Sequence, residues 1–340
     1  MHDVIVVGAG PAGLATALGA ARAGLDVLVF ERRTGPIDKA CGEGLMPVAV
    51  RALAALDVDP PGFALRGIAY RRGNLVARTE FRSGPGRGVR RTALQGSLRD
   101  AVDAAGVPVR EERVTEVRQD ADRVVVAGES ARYLVAADGL HSPIRTALGL
   151  AARPVGATRW GLRQHFAIPP RDGFVEVNWS DQAEAYVTPV DDETIGISLL
   201  TARRGSFDAQ LAAFPWLVER LAGAAAVSDV RGAGPLRQRV RARVCGRVLL
   251  IGDAAGYVDA LTGEGIAISL ASAAVLVRCL VADRPQQYER AWRVVSRRSR
   301  LLTEGLLLSR LHLPGAPRLI VPLAVRAPSL FGSIVNQLAG

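Results

Sequence analysis

The chain has 340 residues, 49% hydrophobic and 22% charged, with 36 glycines, which excludes extensive disorder and allows one large or two modest cores. Cys41, Cys245 and Cys279 are the only cysteines and show no CxxC spacing. They argue against a disulfide framework, and with four unpaired histidines they leave no metal site; a reducing cytoplasm fits. The formal charge of +10 invites a nucleic-acid reading. However, Lys39 is the only lysine, the arginines are scattered, and no nucleic-acid motif is present, so the balance reads as a solvated basic face or as steering of anionic ligands.

Met1-His2-Asp3 leads straight into Val4–Val7, so no signal peptide is expected. Val4 to Val7 reads as a buried parallel strand, followed by GAGPAG and a helix from about 12 to 23 that Gly24 stops. A second strand spans 26–30 and ends in Glu31. From Phe63 the texture changes: 65–72, 75–82, 158–168, 173–179, 184–190 and 194–200 are short strand candidates, with a hairpin at Asp191-Asp192-Glu193. The α/β texture returns in a helix over 92–105, a strand over 133–137, a strand over 247–251 and a helix over 263–281. Residues after about 285 read as helical, with proline-rich breaks at 314–328. No apolar run reaches the about 18 residues of a membrane span, and the apolar tail from Leu306 reads as a cap on the fold, with peripheral membrane contact left open.

The first chemical motif is Gly8-x-Gly10-x-x-Gly13 between a strand and a helix. Gly8 allows the tight turn, Gly10 lets a pyrophosphate approach, Gly13 permits close helix packing, and the helix start offers free N–H groups to phosphate. Glu31, at the end of the second strand, is placed for an adenosine ribose. Asp138-Gly139-Leu140-His141-Ser142-Pro143-Ile144-Arg145 and Gly252-Asp253-Ala254-Ala255-Gly256 each follow a strand. A plain NAD domain has no need of the second, whereas the ribityl chain of FAD does.

These three motifs, with Cys41-Gly42-Glu43-Gly44-Leu45 and Thr262-Gly263-Glu264-Gly265-Ile266, resemble the FAD-dependent monooxygenase and geranylgeranyl-reductase superfamily over about residues 1–285. The resemblance implies an α/β fold: a glutathione-reductase-type Rossmann FAD-binding domain (1–63, 89–152 and 244–290) with an inserted antiparallel β-sheet substrate domain (64–88 and 153–243). A C-terminal helical segment covers 291–340. It implies cofactor contacts at Gly8, Gly10, Ala12, Gly13, Glu31, Arg32, Cys41, Gly42, Gly44, Arg91, Val114, Asp138, Asp253, Gly265 and Ile266. Glu31 would hold the adenosine ribose, Asp253 a ribityl hydroxyl, and Gly265 and Ile266 the pyrimidine end of the flavin, where a helix start stabilises reduced-flavin charge. The Y-x-W-x-F-P stretch of polyprenyl reductases is reduced here to Glu184-Ala185-Tyr186-Val187-Thr188-Pro189, and the halogenase W-x-W-x-I-P stretch is missing.

Catalytic candidates are weaker. Glu43 reads as a group that donates or accepts a proton over the flavin, or equally as a solvated loop carboxylate; Cys41 reads first as a packing residue and second as a redox-active thiol. Tyr186, His165 and Arg163 fall on strands of the inserted sheet, where each reads first as structural, and His141 reads as a surface residue. The expected protein is a cytoplasmic flavoprotein with FAD and with NAD(P)H as transient reductant. It would be a monooxygenase on a hydrophobic or aromatic small molecule of secondary metabolism, a C=C reductase of the geranylgeranyl-reductase type, or a non-catalytic flavin-binding module, in that order. Oligomeric state is not legible.

Overall fold

The computed structural model describes residues 1–340 except 155, 157 and 313–315. Its first layer is an eight-stranded sheet with the path Val244–Cys245, Val248–Leu250, Glu129–Ala136, His2–Val7, Val27–Glu31 and Val109–Glu111. The last five of these pair in parallel. The short strands Val124–Val126 and Arg118–Gln119 add on in antiparallel fashion. Continuous β-branched runs suit strands covered on both faces, and Val4, Ile5, Val6 and Leu134 are fully buried. Helix Pro11–Arg22 packs on helices Arg91–Ala104 and Gly265–Val281. From His2–Val7 the chain steps to Val27–Glu31 on one side and later to Glu129–Ala136 on the other. Strand order therefore reverses at the carboxyl end of His2–Val7, which is where open α/β sheets hold their ligands.

The second layer is a seven-stranded sheet. It runs Arg231–Ala233, Trp160–Ala167, Thr194–Thr201, Ala183–Pro189, Phe174–Trp179, Gly67–Arg72 and Leu75–Glu80. All six expected β-rich stretches lie in it, but the sheet is mixed, which corrects the expectation of a wholly antiparallel one. Phe174–Trp179 pairs in parallel with Gly67–Arg72. The two strands are separated by a long excursion through the first layer, so no turn dictates their direction. A small three-stranded sheet of Gly44–Leu45, Gly86–Gly88 and Phe63–Leu65 ties the loop after Lys39 to both layers.

Beyond the sheets run helices Gln287–His312, Ala316–Arg326 and Pro328–Ala339. The expected break at 314–328 is narrower than the prolines suggested. Residues 314 and 315 lie outside the described residues, and 316–326 is helical although it contains Pro322. Pro317 sits in the first turn, where a missing N–H costs nothing, and the real bend, 108°, falls before Pro328. Val321, Ala324, Phe331 and Val335 bury against the second sheet, and Phe331 stacks on Tyr70 at 4.8 Å between centroids. Leu319, Leu323 and Leu330 stay exposed. Among the described residues no single helix is long and apolar enough to cross a membrane.

Candidate functional site

A cavity of about 240 Å³ lies between the two sheets at the switch point. Its floor is built from Gly10, Ala12, Arg91, Ala137, Gly139 and Asp253, and its roof from Val175, Val177, Tyr186 and Leu200 of the second sheet. Residues Cys41–Met46 form one wall, and Tyr257, Gly265 and Ile266 another.

The floor is shaped by backbone demands. Gly8 has φ +110° and a Cβ there would lie 2.4 Å from the carbonyl oxygen of Ala137; at Gly13 a Cβ would lie 1.9 Å from that of Gly8. Helix and strand ends can approach this closely only with glycine. Helix Pro11–Arg22 starts without a side-chain cap, so its first N–H groups remain available to an anion. Glu31 turns back on this turn: its carboxylate accepts from the N–H groups of Ala9 (2.8 Å) and Arg33 (3.1 Å). Arg32 is exposed and Val114 buried at that end of the turn, outside the cavity.

The two strand-end acids differ. Asp138 accepts from the N–H of Ile144 (3.1 Å) and so caps the short helix Pro143–Ala147, while its neighbours Ala137 and Gly139 line the cavity. Asp253 lines the cavity itself. Burial pushes its carboxyl above the usual range, against the pull of Lys39, Arg91 and Arg145. Arg145 locks the two turns together by donating to the carbonyls of Leu140 (2.8 Å), Asp253 (3.3 Å) and Ala254 (3.2 Å).

Two cations sit over this floor. Arg91 is 6% exposed and its Nη1 is buried without a partner among the described residues. Lys39, the chain's sole lysine, brings Nζ within 3.0 Å of where a Gly139 Cβ would stand, and burial lowers its pKa. An unpartnered guanidinium, a half-buried ammonium and an uncapped helix start fit a pyrophosphate-bearing cofactor. The motifs had not marked Lys39; its uniqueness in an arginine-only chain was the available signal.

The loop Cys41–Gly44 is clamped to the roof. Glu43 has φ +58° and is 3% exposed. One carboxylate oxygen accepts from the N–H of Arg91 (2.8 Å), and the other lies 2.7 Å from His165 Nε2. His165 Nδ1 lies 3.0 Å from Arg163 Nη1 and from Ser228 Oγ, and Arg163 pairs with Asp38. Thr188 and Ser198 donate to the carbonyls of Gly42 (2.8 Å) and Cys41 (2.9 Å). This network is a strut between sheet and loop. Both oxygens of Glu43 are engaged in it, and the carboxylate is not solvated. His141 is exposed, as expected.

Facing the cavity are Cys41, Tyr70, Tyr186 and Tyr257. Burial raises the Cys41 thiol, pushes Tyr70 up to about 12 and holds Tyr186 and Tyr257 well above the usual phenol value. Tyr186 donates to the carbonyl of Leu261 (2.7 Å). Its neighbours Ala185 and Val187 pack on the far side of the sheet, so Tyr186 points inward by strand alternation. Tyr257, which the motifs did not single out, makes no side-chain hydrogen bond among the described residues.

Residues 1–164 match a family profile described as an FAD binding domain. The chain is 31% identical to the menaquinone reductase of Mycobacterium tuberculosis, over 88% of this chain and 84% of that protein. The chain belongs to the FAD-dependent oxidoreductases of the monooxygenase and geranylgeranyl-reductase superfamily. Within this superfamily it is also 26% identical to the aurachin C monooxygenase/isomerase of Stigmatella aurantiaca, over 82% of this chain and 80% of that one. The fold is similar to that of a flavoprotein/dehydrogenase from Cytophaga hutchinsonii, with TM-score 0.78, 18% identity and coverage of 98% and 96% of the two chains.

Proposed function

We propose that this flavoprotein is a reductase that saturates a carbon–carbon double bond in a hydrophobic small molecule, with NAD(P)H as transient reductant. One observation carries the choice. Four weak acids line the cavity between the sheets, Cys41, Tyr70, Tyr186 and Tyr257, and burial raises the pKa of each, while the charged groups Lys39, Arg91 and Asp253 lie at the floor. Saturating a double bond takes a hydride and a proton, and a neutral acid supplies the second. Oxygen transfer to a phenol calls instead for a base, and Glu43 is committed to Arg91 and His165.

FAD, when bound and reduced, supplies the hydride. The chain's own contributions are binding, orientation and proton delivery. Gly8, Gly10, Ala12 and Gly13 would seat the pyrophosphate, with Arg91 and Lys39 balancing its charge. Asp253 would hold the ribityl chain and Glu31 the adenosine ribose, with Arg32 and Val114 beside it. Gly42, Gly44, Gly265 and Ile266 would border the flavin ring. The apolar roof would exclude water and hold the substrate, and Tyr257, whose hydroxyl makes no side-chain hydrogen bond among the described residues, would be the proton donor. On this reading the first layer is a glutathione-reductase-type Rossmann domain and the second an inserted substrate domain.

Oxygenation, which the sequence placed first, stays as the second reading, favoured by the likeness to the aurachin C monooxygenase/isomerase over 82% of the chain. Chemically reduced protein mixed with candidate hydrophobic alkenes without oxygen separates the two. Reduction predicts reoxidation of the flavin and a product two hydrogens heavier. Product that forms only with O2 and gains one oxygen would overturn it. Protein that stays colourless with added FAD would point to a module without turnover.

A further inference from the structure

A second and larger cavity, about 990 Å³, lies on the other side of the segment 252–269. Gly252, Asp253, Gly265 and Ser269 border both cavities. One wall is the stretch from Arg237 to Arg243, of which Arg239–Val240 is strand and in which every second residue is arginine: Arg237, Arg239, Arg241 and Arg243. All four line the cavity, together with Gln238 and Val240 between them. The stretch is pinned along its length. Gln238 exchanges both backbone hydrogen bonds with Tyr257 (2.8 and 3.0 Å), the Arg241 N–H donates to Leu150 (2.9 Å), and that of Arg243 to Glu289 (2.8 Å).

The opposite wall is helix Gln287–His312, which turns Trp292, Ser296, Ser299, Arg300 and Thr303 toward the space. Six arginines and four carboxylates border the cavity, so its lining is positive. Of the carboxylates, Asp259 pairs with Arg159, Glu304 with Arg237, and Glu289 with Arg243 and Arg293. Asp253 is answered from the first cavity by Lys39, Arg91 and Arg145. Arg239, Arg241 and Arg300 have no carboxylate partner among the described residues. Arg243 is 8% exposed and stacked on Trp292 at 3.3 Å, and its buried Nε has no partner there either.

We propose that this cleft is a binding site for a diphosphate-bearing small molecule, whose phosphate oxygens are taken by the guanidiniums of Arg239, Arg241, Arg243 and Arg300. Guanidinium forks match phosphate geometry in pairs. The exposed Arg239 and Arg241 and the half-buried Arg300, none with a carboxylate partner among the described residues, stand next to Arg243 with its free N–H, and this grouping suits a multiply charged anion better than a single carboxylate. The serine and threonine hydroxyls of the facing helix supply further donors. Two sources offer this chemistry, the pyrophosphate of a nicotinamide dinucleotide and a prenyl-type diphosphate. The inference stands apart from the choice between reduction and oxygenation, since binding is read without turnover.

The test uses the FAD-loaded protein, with calorimetry as the readout. Inorganic pyrophosphate, NADPH, NADH and geranylgeranyl diphosphate are titrated separately, at low and high salt. Saturable pyrophosphate binding is expected. It should weaken at least about tenfold in the double variant Arg239→Ala/Arg241→Ala and with rising salt, and should be unchanged in Arg297→Ala/Arg298→Ala, whose exposed arginines lie outside the cleft. Competition between pyrophosphate and a dinucleotide assigns the site to the reductant; competition with the prenyl compound assigns it to a substrate. Absence of binding by all four probes, or equal binding by the Arg239→Ala/Arg241→Ala protein with its FAD content intact, overturns the proposal.

Discussion

The floor and the roof of the cavity between the sheets hold their shape by different means. The floor works through backbone: Gly8 and Gly13 allow contacts that any Cβ would forbid, and a helix start is left uncapped to meet an anion. The roof works through side chains. Arg163, His165 and Glu43, all buried, cross from strand Trp160–Ala167 to the loop at Cys41–Gly44, and Arg159 pairs with Glu184 of the sheet and with Asp259 of the segment after the Gly252-Asp253 turn. A backbone site tolerates few residue types and leaves a motif. A side-chain network can be assembled from residues anywhere in the chain and leaves none.

The contrast can be broken first at the strut. Glu43→Ala leaves buried His165 without its carboxylate and the Arg91 N–H without its acceptor, with Asp38 left as the carboxylate of Arg163, and should cost about 3–5 kcal/mol of stability, read as a fall in the denaturant midpoint. A loss below about 1 kcal/mol would remove the strut from the account. Next comes the floor. Gly13→Ala forces a methyl onto the Gly8 carbonyl and should cost about 1–3 kcal/mol, together with loss of the yellow cofactor on gel filtration. Retained FAD with an unchanged melting temperature would mean that the turn is looser than described. Tyr186→Phe is smaller, at about 1 kcal/mol, because it strips one hydrogen bond from the Leu261 carbonyl.

The smallest effect is one of protonation. Burial penalises the Cys41 thiolate, so the thiol's pKa goes up from 9.0 and the proton is retained at neutral pH. In a Cys245→Ser/Cys279→Ala background, the alkylation rate of Cys41 should therefore still be rising above pH 9. A plateau reached below pH 8 would show a thiolate, and with it a redox-active thiol rather than a neutral acid.

What the sequence disclosed follows the same division. The glycine turn, the acid at the end of the second strand and the two later strand-end motifs were legible because each is local and sterically forced. Glu43 and His165 stand 122 positions apart, so no spacing could announce their contact, and Glu43 read as a possible solvated loop carboxylate. The parallel pairing of Phe174–Trp179 with Gly67–Arg72 was hidden because alternation reports a strand's faces and not its direction. Helix Pro47–Ala54 was overlooked although Pro47 stands at its first turn, a usable start signal. The alternating arginines from Arg237 to Arg243 were visible, but only the facing helix shows that they enclose a space.

The central claim is that the floor holds the cofactor while the roof selects what it meets. FAD titration of the wild type, Asp253→Ala and Tyr186→Ala tests it most directly, with flavin fluorescence as the readout. Asp253→Ala should lose about 1.5–3 kcal/mol of FAD affinity, the worth of a charge-assisted hydrogen bond. Tyr186→Ala should stay within a factor of about two of wild type, because Tyr186 belongs to the roof and touches none of the floor's glycine turns. Unchanged FAD affinity in Asp253→Ala, or a tenfold loss in a normally folded Tyr186→Ala protein, would contradict the division.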